Sequence, residues 1–112
     1  MKLSEKQAIF SKNISYLIQY ANKIGIDLTF GHAWRSPEEQ KRLINEGKSQ
    51  TMKSKHLQRL AVDFNFFIDG NLTYKKEDVQ RLGDYWEGLH PDNRWGGNWT
   101  TFVDTPHFEM IP

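Results

Sequence analysis

Two short stretches hold residues whose types and spacing suit chemistry. In "SKHLQRLAVDF", residues 54–64, His56 and Asp63 stand seven positions apart, the aspartate inside an otherwise apolar run. In "DTPHFE", residues 104–109, His107 follows Asp104 by three positions near the end of the sequence. Neutral imidazole and carboxylate are ordinary zinc ligands, and three protein ligands leave a fourth position open to water. His56, Asp63 and His107 are the residues best suited to such a site. The alternative is a solvent-facing aspartate on a half-exposed strand, with both histidines unrelated to it. Spacing alone leaves both readings open.

Other residues group around these. Pro106 restricts the backbone between Asp104 and His107. If His107 holds a metal, Asp104 can stand beside it as a general base, although Asp-Thr-Pro also suits a plain turn. Glu109 shares the strand face of His107, where it can orient that ligand or compete with Asp104 as base. Arg35 precedes a helix start and can bind a substrate carboxylate or a developing oxyanion, or simply lie on the surface. In "RWGGNW" two glycines separate Trp95 from Trp99. That turn can set an aromatic wall, Trp95 included, against a substrate, or it can fill the core. His32 and His90 have no partner pattern and read as structural. HExxH is absent, which excludes the usual zincin helix.

Positioning these groups requires secondary structure, and the sequence marks it. Ser4 with Gln7 reads as a capping box. Ile9, Ile14, Leu17, Ile18, Ala21 and Ile24 then recur at helical spacing up to Gly25, a natural helix stop. Ile26, Leu28 and Phe30 alternate with polar residues, predicting a short strand that ends at Gly31. A second helix opens with Ser36 as cap, Pro37 in the first turn and Glu39 closing the box, and it stops at Gly47. Residues 48–55 are polar and aperiodic and read as a mobile loop. A strand is predicted over 60–68, with Asp63 and Asn65 on the face opposite Val62, Phe64 and Phe66, ending at the turn signal Asp69-Gly70-Asn71. Val79, Leu82, Trp86 and Leu89 mark a third helix, and residues 94–111 fit strands around a glycine turn. The fold class is α+β, a small antiparallel sheet flanked by helices.

At 112 residues the chain suits one domain, 1–112, with one modest core. Aromatic content of 13% argues against disorder. A net charge of +1 does not point to nucleic acid. Charge is uneven, however: from Lys41 to Arg59 there are six basic residues and one acid, Glu46, which suits an anionic polymer or a solvated loop. Without cysteine, any metal must use His, Asp or Glu. No segment has transmembrane length, and residues 1–10 lack the apolar run of a signal peptide.

Taken in order, these motifs resemble the zinc-dependent D-alanyl-D-alanine carboxypeptidases and L-alanyl-D-glutamate endopeptidases of bacterial cell walls, which share a hedgehog-like fold. The resemblance rests on Arg35 in "WRSPEEQ", on Ser54-Lys55-His56 with Asp63, on "WGG", and on Asp104 with His107; it spans residues 30–109. It implies His56, Asp63 and His107 as ligands of Zn2+, Asp104 as catalytic base and Arg35 as electrophilic stabiliser. It further implies Ser54 as a contact to substrate or to the ligand shell, with Glu109 behind the ligands. Many members carry a glycine within the six residues that here read "LQRLAV", so Arg59 occupies a place that shapes the pocket.

The expected function is hydrolysis of the L-Ala–D-Glu bond of peptidoglycan stem peptides by a phage-type endolysin. Such an enzyme would be a monomer without nucleic-acid or membrane partners, made in the cytoplasm and acting on the wall after release. A D-Ala-D-Ala carboxypeptidase, a non-catalytic zinc- or wall-binding module of the same fold, and a metal-dependent nuclease are the alternatives.

Overall fold

The computed structural model describes residues 1–33, 36–47 and 55–112. Arg35, Ser54 and nearly all of the expected loop over 48–55 lie outside these residues. Among the described residues, three helices, α1 (Leu3–Lys23), α2 (Pro37–Asn45) and α3 (Lys76–Leu89), accompany five strands. The strands are β1 (Asp27–Phe30), β2 (Ala61–Ile68), β3 (Asn71–Thr73), β4 (Asn93–Trp95) and β5 (His107–Met110). All strand pairings are antiparallel, in the order β1-β2-β5-β4, with β3 also on β2. The architecture is α+β, as the residue pattern predicts.

β2 organises the sheet because it is the longest strand and is paired on both edges. β1 runs along one edge; on the other, β5 covers the start of β2 and β3 covers its end. A two-residue turn, Asp69-Gly70, joins β2 to β3 with both φ angles positive, the twist a tight hairpin needs. Alternation then sorts the strand's side chains. Val62, Phe64 and Phe66 join Phe108 and Met110 of β5 in the core. Against them pack Phe10, Ile14, Leu17 and Ala21 of α1 and Val79, Leu82 and Trp86 of α3. Asp63 and Asn65, on the other face, are only half buried.

The α2 cap forms as the sequence predicts: Ser36 Oγ accepts a hydrogen bond from the Glu39 backbone N–H at 3.1 Å, with Pro37 first in the helix. Gly25 and Gly47 stop α1 and α2 with φ of +84° and +75°. The expected capping box of α1 does not form. The helix begins at Leu3, with Lys2 as its N-cap and no side-chain cap, so Ser4 is already inside it. Gln7 reaches instead across the molecule and donates to the Gln58 carbonyl at 2.8 Å. That bond ties α1 to the 3₁₀ turn Lys55–Gln58 carrying His56. Immediately after this turn Arg59 adopts φ of +57°, a left-handed conformation that glycine reaches without the ~1–2 kcal/mol a Cβ costs there.

Candidate active site

Three donor atoms converge on the face of the sheet away from the core. His56 Nε2 and His107 Nδ1 lie 3.2 Å apart, and each lies 3.2 Å from Asp63 Oδ1. Asp63 and His107 are directly opposed across β2 and β5, so strand register alone brings the late motif to the early one. The 3₁₀ turn adds His56, fully buried. Two imidazoles and a carboxylate are the donor set zinc accepts, and tetrahedral ligands at ~2.0–2.1 Å from a metal stand about 3.3 Å from one another. The observed triangle has that edge, and the three residues form a group able to hold a metal ion.

Glu109 completes the arrangement from behind. Its Oε1 lies 2.7 Å from His107 Nε2. A proton on Nε2 donated to Glu109 leaves the Nδ1 lone pair facing the other two donors, the usual way a carboxylate fixes a ligand histidine. The expectation that Glu109 could instead be the base is weakened, because its carboxylate is engaged at the nitrogen that faces away from the donor triangle.

The electrostatics of the ion-free site are those of a held cluster. Burial of Asp63 favours its neutral acid, but hydrogen bonds with His107 and His56 outweigh this and hold its carboxyl far below the usual range. Burial likewise opposes charge on His107, yet bonding to Asp63 and Glu109 pushes its pKa up to about 9. In the ion-free site the protonated His107 ring beside Asp63 thus places positive charge where a metal ion would otherwise sit.

Asp104 lies in the turn that leads into β5. Its backbone N–H donates to the Gly96 carbonyl at 2.9 Å, and its own carbonyl accepts from the His107 N–H at 3.1 Å. The "WGG" motif is explained here. A side chain at Gly96 would start 2.3 Å from the Asp104 carbonyl oxygen and within 3.1 Å of the Cβ atoms of Asp104 and His107. Gly97 and Gly83 form a slot for the Trp95 ring, whose atoms would come within 2.6 Å of a Cβ on either glycine. We therefore expect Gly96→Ala to push the Asp104–His107 turn away from β2 and to destabilise the protein by about 1–3 kcal/mol, the scale of an overpacked site. Thermal melting together with zinc affinity measures this; a wild-type value for both would refute the tight-turn reading.

Trp95 is corrected. It is fully buried, stacked on Phe108, and its indole N–H donates to the Thr105 carbonyl at 2.8 Å. It supports the turn from within the core and does not face a substrate. Trp99, the other member of the motif, is the one of the two that meets the site: its ring centroid lies 5.2 Å from that of His107. His32, which has no partner pattern in the sequence, stands beside the site. Its half-exposed ring places Nδ1 3.9 Å from Asp63 Oδ2 and Nε2 3.5 Å from Glu39 Oε1, while its carbonyl accepts from the Asp63 N–H. The signal that could have found it is the β1–β2 pairing, which, continued past Phe30, runs Gly31 and His32 alongside Asp63. Gly31 permits that close passage, since a Cβ there would meet Asp63 Cβ at 3.3 Å. His90 remains structural: Nδ1 accepts from the Asp92 N–H just beyond α3.

Known proteins share this arrangement of sequence and fold. A family model described as D-alanyl-D-alanine carboxypeptidase matches residues 47–110. The L-alanyl-D-glutamate peptidase of Listeria phage A118 is 30% identical over 97 residues, covering 84% of this chain and 34% of that protein. The peptidoglycan L-alanyl-D-glutamate endopeptidase CwlK of Bacillus subtilis (strain 168) is 31% identical, covering 97% of this chain and 75% of the relative. The chain thus spans about a third of the phage protein's length. Among solved structures, the L-Ala D-Glu endopeptidase ChiX of Serratia marcescens superposes with a TM-score of 0.72 at 22% identity, over 99% of this chain and 87% of that one. The vancomycin resistance D,D-pentapeptidase VanY, solved in complex with Zn(II), gives 0.62 at 18% identity, over 92% and 71%. At such identities these two structures establish the shared fold.

Proposed function

The chain belongs to the family of D-alanyl-D-alanine carboxypeptidases, and from that premise we propose that it is a zinc-dependent peptidase cutting the L-Ala–D-Glu bond of peptidoglycan stem peptides. The observation that carries the reading is the 3.2 Å triangle of His56, Asp63 and His107, found in a chain two of whose relatives are named for that bond. A bound zinc ion would supply a Lewis acid that polarises the amide carbonyl and makes water nucleophilic near neutral pH.

The residues divide the remaining work. His56, Asp63 and His107 would hold the ion, with Glu109 keeping His107 in the required tautomer. Asp104 takes the proton of the attacking water and returns it to the leaving amine, so one carboxylate serves both half-reactions. Arg35 stabilises the negative charge that develops on the carbonyl oxygen, and Ser54 contacts the substrate. Trp99, whose ring lies against His107, offers an aromatic surface beside the ligands. Replacing Arg35 by alanine should lower kcat/KM by roughly 10²-fold, the scale of a lost oxyanion donor, with zinc content and melting temperature near wild type. A folding defect large enough to account for the lost activity would remove Arg35 from this role.

A second reading, D-Ala-D-Ala carboxypeptidase, is favoured by the description of the matched family. Mass spectrometry of purified peptidoglycan digested with the zinc-loaded protein separates the two. A new free carboxyl on L-Ala with a new amine on D-Glu identifies the endopeptidase. Released D-Ala identifies the carboxypeptidase, and unchanged peptidoglycan defeats both.

A further inference from the structure

The donor triangle is not the end of the polar surface on its face of the sheet. Two residues beyond Asp63, Asn65 occupies the same face of β2, and Thr29 of β1 stands directly opposite it. Asn65 Nδ2 donates to Thr29 Oγ1 at 3.2 Å, and the Tyr74 hydroxyl donates to Asn65 Oδ1 at 2.6 Å. Tyr74 is itself anchored, since its carbonyl accepts from Thr105 Oγ1 at 2.8 Å. The Asn65 amide is thereby held in one orientation. Its second N–H and the Thr29 O–H, two adjacent donors on an exposed surface, have no acceptor among the described residues. Resting on the endopeptidase reading above, we propose that Asn65 and Thr29 form a binding subsite for a main-chain carbonyl of the substrate on the leaving-group side of the scissile bond.

Position decides the side. β5 runs antiparallel to β2 with His107 opposite Asp63, so the preceding residues lie alongside the chain beyond Asp63; Phe64 N–H donates to the Pro106 carbonyl. Along the strand direction the turn carrying Asp104 and the Asn65 array both lie beyond the triangle, Asp104 on the β4 side of β5, where it bonds to Gly96, and the array on the β1 side of β2. Asp104 is the group assigned to protonate the leaving amine, so the D-Glu half of the substrate departs toward Asn65. From Asp63 to Asn65 the strand advances about 6.6 Å, and an extended peptide covers that distance in about two residues. The chemistry decides the class of group. The array offers neutral donors and no charge, which matches a peptide carbonyl; recognition of a carboxylate draws on Arg or Lys.

Two synthetic peptides test this, both containing L-Ala–D-Glu, one ending at D-Glu and one continuing two residues beyond it. Wild type should prefer the longer peptide in kcat/KM. In Asn65→Ala, and in Thr29→Val, which keeps the shape and strand preference of the residue, the longer-to-shorter ratio should fall about 3- to 10-fold, the worth of one or two neutral hydrogen bonds. A ratio that stays at the wild-type value in both variants, or equal fractional losses on both peptides, overturns the subsite. If wild type cleaves neither peptide, the proposed activity fails separately. The subsite is then judged by NMR titration of the zinc-loaded protein: shifts of the Asn65 side-chain amide with the longer peptide alone sustain it, and their absence overturns it.

Discussion

Replacing His56 by alanine should remove zinc and hydrolytic activity together. The side chain is fully buried and supplies one corner of the donor triangle, so no water-exposed residue can take its place without rebuilding the turn Lys55–Gln58. Losing an outer partner of a metal ligand typically costs about 10–100-fold in affinity, and loss of a ligand itself should exceed that. His107→Ala should behave in the same way, whereas Glu109→Gln should fall in the outer-partner range. Elemental analysis should give about one zinc per chain for wild type, as a three-ligand site requires, and almost none for the two histidine variants. Zinc content unchanged in either histidine variant would overthrow the site. Protons provide a second test. His107 in the ion-free protein has its pKa raised from 6.5 to about 9, so metal binding must displace a proton and apparent zinc affinity should climb with pH up to that value. Without metal, a raised pKa contributes stability that is complete below 6.5 and lost as pH rises through about 9. The melting temperature of chelator-treated protein should therefore fall across that window, and a flat profile would contradict the charged His107–Asp63 pairing.

Asp104→Asn should lower hydrolysis by about 10²–10⁴-fold, the usual contribution of a general base, while zinc binding and melting temperature stay near wild type. The turn supports this separation of effects. Asp104 is anchored through its backbone, to Gly96 on one side and His107 on the other, and asparagine keeps both bonds. Its side chain is not among the three donors that form the metal-binding group. Glu109→Gln is the informative contrast: Glu109 is committed to His107 Nε2, so its loss should weaken zinc binding first and turnover as a consequence. If saturating zinc restores Glu109→Gln but leaves Asp104→Asn inactive, the base is Asp104. Loss of zinc from Asp104→Asn would make it a ligand, and near-normal hydrolysis would make it a plain turn residue.

Much of this was legible in the linear order of residues, for reasons that are local. Helix caps and stops depend on near neighbours, which is why Ser36-Pro37-Glu39, Gly25 and Gly47 gave the right ends. Alternation along a strand has period two, so Asp63 could be assigned to the face opposite Val62 and Phe64 before any partner strand was known. The convergence of His56, Asp63 and His107 was suggested by motif order, but spacing could not distinguish a site from an accident. Only the β2–β5 register, which sets His107 against Asp63, made the triangle. Other features had no local signature at all. Trp95 and Trp99 are chemically alike and separated by two glycines; which enters the core depends on the slot between Gly83 and Gly97, a contact between distant segments. Ser4 looked like a cap, yet α1 starts earlier and Gln7 spends its hydrogen bond on Gln58, because the helix packs where it can hold the turn of His56. His32 and the Asn65–Thr29 pair reach the site face through the β1–β2 pairing. Sequence thus determined which chemistry was present and which face of each element carried it. Tertiary structure decided which of those faces meet, because strand register and ring packing join residues that the chain itself keeps far apart.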